Sequence, residues 1–366
     1  MNGRTSATET ALAIAVGARV PVLLWGAPGT GKSSVVRDLA DAMGWPCEVV
    51  IASIREPSDF AGLPVVVDGG VDFAPPGWAT SLAAAGRGLL FLDEISTAPP
   101  AVQAALLRVV LERTVGDLRL PEDVVVVAAA NPPDQAADGW DLSAPLANRF
   151  CHLQWVTDAA TVAQGFTAGF TKPVVPNLEE SAEVLTARLA KARAEVATFL
   201  AIRPGVVTAP PTDRAAAGRA WPSPRTWEMA AGLVAAARSA QADGEVVAAL
   251  VGGCVGDGPG IEFLSWLSEL DLPDPELLLA DPAGFELPGR GDRAYAVLTA
   301  VAAAVAANPT IPRWEAGWQV LGRAGEQAPD VAALAARILV SCRPDGAPTP
   351  DQAAAFLPLL RDAGLV

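Results

Sequence analysis

The run Val20-Pro21-Val22-Leu23-Leu24-Trp25 passes without a break into Gly26-Ala27-Pro28-Gly29-Thr30-Gly31-Lys32-Ser33. The first six residues are apolar without alternation, the pattern of a buried strand covered on both faces of a parallel sheet. The next eight fit G-x-x-x-x-G-K-[ST] without departure. From Lys32 onward Val35, Val36, Leu39, Ala40 and Met43 recur at helical spacing, so a helix is predicted to follow directly. A strand, a glycine-rich turn and a helix in that order aim backbone N–H groups and the positive end of the helix at one point, where phosphate oxygens are held. Lys32 supplies a point charge for β- and γ-phosphates, and Ser33 offers a hydroxyl to Mg²⁺. Gly26, Ala27, Pro28, Gly29, Thr30, Gly31, Lys32, Ser33 and Ser34 are therefore the candidate nucleotide-binding residues.

Further apolar runs at Val49-Val50-Ile51, Leu89 to Leu92 and Val124 to Val127 read as central strands of the same sheet. The second of these delivers Asp93-Glu94 at its C-terminal end, the edge of an open α/β sheet where ligands bind. Asp93 is placed to join Ser33 in a Mg²⁺ shell, and Glu94 to orient or deprotonate an attacking water. A regulatory GTPase would need an N/T-K-x-D segment to read guanine. Lys172 sits in Thr171-Lys172-Pro173-Val174, without the Asp. A small-metabolite kinase usually carries several arginines in its lid, and the helical region here has no such cluster. Mg²⁺-dependent ATP hydrolysis is the expectation that survives, with ATP and Mg²⁺ as cofactors.

The chain has 366 residues, of which 51% are hydrophobic and 18% charged, a globular balance with room for two or three domains. Its formal net charge of −15, with no dense Lys/Arg cluster, disfavours nucleic acid as a substrate. Cys47, Cys151, Cys254 and Cys342 form no C-x-x-C pair and share the chain with a single His152, so a zinc cluster is not expected. Scattered thiols of this kind read as buried cysteines of a reducing cytoplasm. The N-terminus lacks a signal-peptide core, and the near-apolar run Ala294 to Ala307 is too short to span a bilayer.

Beyond about Thr157 the strand signal fades. Leu178 to Leu200, Trp227 to Ala240 and Ile261 to Leu270 read as helices, with a Pro-rich stretch from Pro204 to Pro224 between the first two. The predicted organisation is an α/β nucleotide-binding core at 1–156, an all-α lid at 157–272 and a C-terminal helical extension at 273–366.

These motifs, in this order, resemble the AAA+ ATPases, and more narrowly their MoxR-like and dynein-related branch, over roughly residues 8 to 240. In that resemblance Asn131, at the end of the strand from Val124, is similar to the sensor-1 residue that holds the lytic water. Leu146-Ala147-Asn148-Arg149-Phe150 is similar to the segment supplying an arginine finger to a neighbouring subunit. Arginine suits that role because guanidinium is always charged and grips a phosphoryl group through several donors. Trp221-Pro222-Ser223-Pro224-Arg225-Thr226-Trp227 resembles sensor 2, from which Arg225 would reach back to the γ-phosphate. Glu56 to Gly62 through Phe73 to Trp78 resembles the helix-2 insert, and Leu111 to Asp117 the hairpin before sensor 1. Phe73 or Trp78 would grip a client there, although aromatics in such loops are more often packed.

The resemblance implies a homo-oligomeric ring, usually hexameric, with ATP at subunit interfaces and chaperone-like action on a protein client. It also implies, for many members, a partner carrying a von Willebrand factor A domain. Two alternatives stand beside this motor. One is an ATP-dependent assembly switch with incidental turnover; the other, disfavoured by the acidic composition, is a nucleic-acid-acting AAA+ protein.

Overall fold

The computed structural model describes residues 6–132, 140–170, 172–178, 180–270, 272–325 and 327–356. Its strands are β1 (Val22–Trp25), β2 (Cys47–Ile51), β3 (Leu63–Val67), β4 (Gly70–Ala74), β5 (Arg87–Asp93), β6 (Thr114–Val115), β7 (Leu118–Arg119), β8 (Asp123–Ala130) and β9 (Cys151–Gln154). Five of them form a parallel sheet in the order β2-β5-β8-β1-β9. The α/β core expected from the sequence is present, and the C-terminal part is helical. Every residue of β1 is buried, and β8 is buried from Val124 to Ala130, as continuous apolar runs inside a two-sided sheet must be.

Two strands depart from the sequence reading. Val49-Val50-Ile51 belongs to β2, which lies at one edge rather than in the centre; with a single neighbour it leaves Ile51 39% exposed. At the other edge β9 was not anticipated, because two of its four residues are polar. Its position is fixed by the backbone instead: Cys151 N donates to Pro21 O at 2.8 Å and Trp155 N to Trp25 O at 2.7 Å. His152 of β9 is buried and fully satisfied. Trp25 Nε1 donates to its Nδ1 at 2.9 Å, so Nε2 carries the proton and donates to Ala147 O, also 2.9 Å away.

Burial lowers the His152 pKa from 6.5 to about 4. The unfolded chain binds a proton below 6.5 that the folded chain refuses until about pH 4. The stabilisation is thus complete above that window and is lost as pH falls through it. Between pH 7 and pH 4.5 the wild type is expected to lose about 2–3 kcal/mol more than His152→Gln, by urea titration followed with tryptophan fluorescence.

The helix Lys32–Met43 starts after Gly31 in the left-handed conformation and ends at Gly44, also left-handed; its Val36, Leu39 and Ala40 are fully buried. Leu90, Leu92, Val102, Leu106, Val109, Phe60 and Phe150 share one apolar cluster with Leu23 and Trp25. Burial of this kind, at about 25 cal/mol per Å² of apolar surface, holds the sheet and its helices together.

The β3–β4 hairpin behaves differently. All ten of its residues are exposed. Opposite residues of an antiparallel pair share a face, so Pro64, Val66, Val71 and Phe73 form one wholly apolar side. An isolated hairpin is marginal in water, and this one is clamped at its base. Phe73 N donates to Asp117 Oδ2 at 2.7 Å, and Gly116 lies so close that a Cβ would sit 2.3 Å from Phe73 O. Trp78, by contrast, packs on the core and against Phe60 at 6.3 Å. Of the two aromatics considered for a client, only Phe73 is exposed.

Internal contacts divide the chain into two units, 1–179 with 207–261 and 180–206 with 262–366. The helices expected to form one lid over 157–272 are thus shared between them. Helix Pro224–Ser239 and helix Gly244–Val255 belong to the first unit. Helix Ala182–Ile202 belongs to the second, which gathers Val297, Val301, Trp314, Trp318, Leu321, Leu339 and Phe356 into its own core. The end of the predicted helical tail, 357–366, lies outside the described residues. No helix among the described residues is long and apolar enough to cross a membrane.

Candidate nucleotide-binding site

The loop joining β1 to the helix Lys32–Met43 lies at the C-terminal edge of the sheet. Gly26 N donates to Ala130 O at 3.2 Å, tying its start to β8. Trp155, just past β9, clamps it from the other side by donating from Nε1 to Thr30 O at 2.9 Å. Gly26 packs so tightly against this residue that a Cβ would sit 2.5 Å from Trp155 O. Gly29 and Gly31 hold φ of 75° and 87°, where a side chain is strained and nothing else blocks the backbone. No side chain caps the helix that starts at Lys32. A cleft of about 340 Å³ opens here, lined by Pro28, Gly29, Thr30, Gly31, Lys32, Ser33, Ser34, Asp93, Glu94 and Asn131.

Lys32 is buried, and its ammonium donates to Gly26 O at 2.5 Å, Ala27 O at 2.8 Å and Asn131 Oδ1 at 3.1 Å. Burial holds its pKa below the ordinary lysine value, while the Asp93 carboxylate pulls the other way. Gly26 and Ala27 therefore serve the loop by their carbonyls. Ser33 Oγ donates to Asp93 Oδ2 at 2.8 Å, so the hydroxyl and carboxylate expected to hold Mg²⁺ face each other. Among the described residues no group of three or more His, Cys, Asp or Glu could hold a metal. A Mg²⁺ ion bound through one carboxylate, one hydroxyl and substrate phosphates needs none. The donor set thus fits a nucleotide with a divalent metal.

Glu94 sits at φ 55°, ψ 40°, left-handed and strained for a residue with a Cβ, with its N–H folded back onto Asp93 Oδ1 at 3.0 Å. Its side chain is exposed to the cleft and held by Ser53, whose hydroxyl donates to Glu94 Oε2 at 2.6 Å. Ser53 follows β2 and stands 41 residues earlier, so no local spacing announces it. Ser53→Ala is expected to lower kcat about 3- to 10-fold with KM for ATP unchanged, the cost of one positioning hydrogen bond. Steady-state kinetics with ATP as the varied substrate separates the two constants. Asn131 is fixed in turn by Ser96, which accepts from its backbone N–H at 3.3 Å. Strand order places Asn131, at the end of β8, between the loop after β1 and the acidic end of β5.

Residues 21–150 match the sequence model of the AAA domain, dynein-related subfamily. This segment is an AAA domain. No curated protein matches the chain. Among solved structures, a candidate ATPase from Cytophaga hutchinsonii aligns at 21% identity over 60% of this chain and 72% of the other, with a TM-score of 0.34.

Within the AAA domain Arg149 is half-buried, its Nη1 donating to Pro145 O and its Nε buried without a partner. Burial, and next the Arg225 guanidinium, hold its pKa below the ordinary arginine value. The Arg225 charge thus reaches Arg149, and neither arginine lines the cleft of its own chain. Asn148 couples their two segments. Its Nδ2 donates to Trp221 O at 3.1 Å and its Oδ1 accepts from Ser223 Oγ at 2.8 Å, stitching the segment around Arg149 to the cap of helix Pro224–Ser239. Arg225 lies outside the matched segment and is not among the residues that line the cleft.

Proposed function

We propose that this protein is a Mg²⁺-dependent ATPase of MoxR-like type that works as a ring and remodels or activates a protein partner. The observation that carries the reading is the convergence of Lys32, Ser33, Asp93, Glu94 and Asn131 on one cleft at the C-terminal edge of the sheet. On this reading the loop amides and Lys32 bind phosphate, and Ser33 with Asp93 would hold Mg²⁺, which supplies charge neutralisation between the phosphates. Glu94 and Asn131 position the water.

Two further observations support the ring and the client. The charge of Arg225 is felt at Arg149, and neither arginine lines the cleft of its own chain. Two guanidiniums so placed are matched by a polyanion brought from outside, and the phosphates in the cleft of a neighbouring copy meet that need. The clamped β3–β4 hairpin presents Val66, 79% exposed, and Phe73, 43% exposed, as an apolar grip for a protein. Family resemblance extends the proposal to a hexamer and to a partner with a von Willebrand factor A domain. The test is ATP turnover by the full chain with Mg²⁺ present and after chelation. Turnover that requires the metal and rises with protein concentration is expected; its absence at concentrations where the chain assembles overturns the proposal.

A further inference from the structure

Cys151 opens β9, and Cys254 lies in the last turn of the helix Gly244–Val255. Both are free and fully buried. Strand and helix meet at a glycine, since a Cβ on Gly253 would sit 2.5 Å from His152 O and 2.9 Å from Cys151 Sγ. The helix backbone therefore lies directly on the edge strand. The Cys151 thiol donates to Leu250 O at 3.6 Å, one turn before Cys254. Cys151 is also the largest influence on the Cys254 thiol, ahead of burial, and together they push its pKa well above the ordinary 9.0. Cys47 and Cys342 are only half-buried and sit on other elements.

We propose that Cys151 and Cys254 are a redox modification site, which a peroxide converts to a disulfide stapling the helix Gly244–Val255 to β9. In the closed interface Cys254 is held as the thiol and both sulfurs are shielded, so reaction proceeds when the helix lifts from the strand. One thiol gives up its proton and its sulfur attacks a peroxide oxygen; the O–O bond breaks, leaving a sulfenic acid and one water. The second sulfur then attacks the first, its proton leaving with the displaced hydroxyl as a second water. The thiols lose two electrons and two protons, and hydrogen peroxide becomes two waters. In a reducing compartment, such bonds are characteristically transient and redox-sensing.

The staple has a consequence that rests on the function proposed above. Helix Gly244–Val255 packs along helix Pro224–Ser239, which carries Arg225, while β9 begins two residues after Arg149. Joining the two elements fixes the arginine pair in one arrangement. Turnover is slowed, and the nucleotide loop stays intact.

The experiment treats the full chain with hydrogen peroxide beside Cys151→Ala, Cys254→Ala and a Cys47→Ala/Cys342→Ala control, followed by digestion and mass spectrometry. Expected are a Cys151–Cys254 linked peptide reversed by dithiothreitol and a thermal midpoint raised by several degrees. ATP turnover is expected to fall roughly tenfold or more in the wild type and the control, and to hold steady in the two single variants. Recovery of both cysteines unlinked in the wild type overturns the site, and a linked peptide with unchanged turnover overturns the brake. Should the chain hydrolyse no ATP, the proposed function fails, while the linked peptide and the thermal midpoint still decide the modification site.

Discussion

Replacing Glu94 by glutamine is expected to lower ATP turnover by about 10²- to 10⁴-fold, with ATP still bound at wild-type affinity. Glu94 lies beside Asp93 but makes none of the contacts that shape the phosphate loop, and its side chain faces the cleft through the single hydrogen bond from Ser53. Glutamine keeps the length, the shape and an oxygen for Ser53, and removes only the negative charge that accepts a proton from water. Binding and chemistry should therefore separate cleanly, with kcat carrying the whole effect. Single-turnover hydrolysis beside equilibrium binding of a fluorescent ATP analogue reads the two. A variant that hydrolyses at the wild-type rate would remove Glu94 from the chemistry and favour a nucleotide-dependent switch.

Lys32→Met is expected to have the opposite signature. The ammonium of Lys32 is buried and aimed into the loop by three hydrogen bonds, two of them to carbonyls of the loop itself. Each charge-assisted contact to a phosphate oxygen contributes more than an ordinary hydrogen bond. Removing the charge should lower ATP affinity at least about a hundredfold, near 3 kcal/mol. Methionine fills the channel of the lysine stem but leaves Gly26 O, Ala27 O and Asn131 Oδ1 without their donor, so the thermal midpoint of the nucleotide-free protein should fall by a few degrees, at most about 10. Isothermal titration with ATP measures the loss, and retained affinity would show that the phosphates are held elsewhere.

The parts of this site readable from the sequence are those built by neighbours along the chain. The step from Trp25 through the glycine loop into helix Lys32–Met43 is local, and so is the delivery of Asp93 and Glu94 by β5. Buried strands declared themselves because both faces of the sheet are covered, leaving β1, β5 and β8 without polar positions in their middles. Strand β9 gave no such signal. His152 and Gln154 break its apolar run, and His152 is tolerated only because Trp25 and Ala147 satisfy it from elsewhere in the chain.

Contacts made by distant residues stayed hidden for the same reason. Ser53 reaches Glu94 and Trp155 reaches Thr30 across long separations that no motif spans. Arg149 and Arg225 read as two separate motifs with two separate tasks. It is Asn148, bonded to both Trp221 and Ser223, that makes them one feature. Cys151 and Cys254 likewise read as unrelated buried thiols until Gly253 let the helix rest on the strand.

If the arginine pair acts on a neighbour, an intact cleft on one chain and an intact pair on another should make one working site. The most direct test mixes two variants, each inactive alone. Glu94→Gln keeps its arginines and lacks the base, whereas Arg149→Ala with Arg225→Ala keeps the cleft and lacks the guanidiniums. Steady-state ATP turnover of the mixture is expected to rise clearly above the sum of the two parents as protein concentration passes the assembly range. A mixture no more active than that sum, while mass measurement shows the two variants co-assembled, would contradict a site shared between copies.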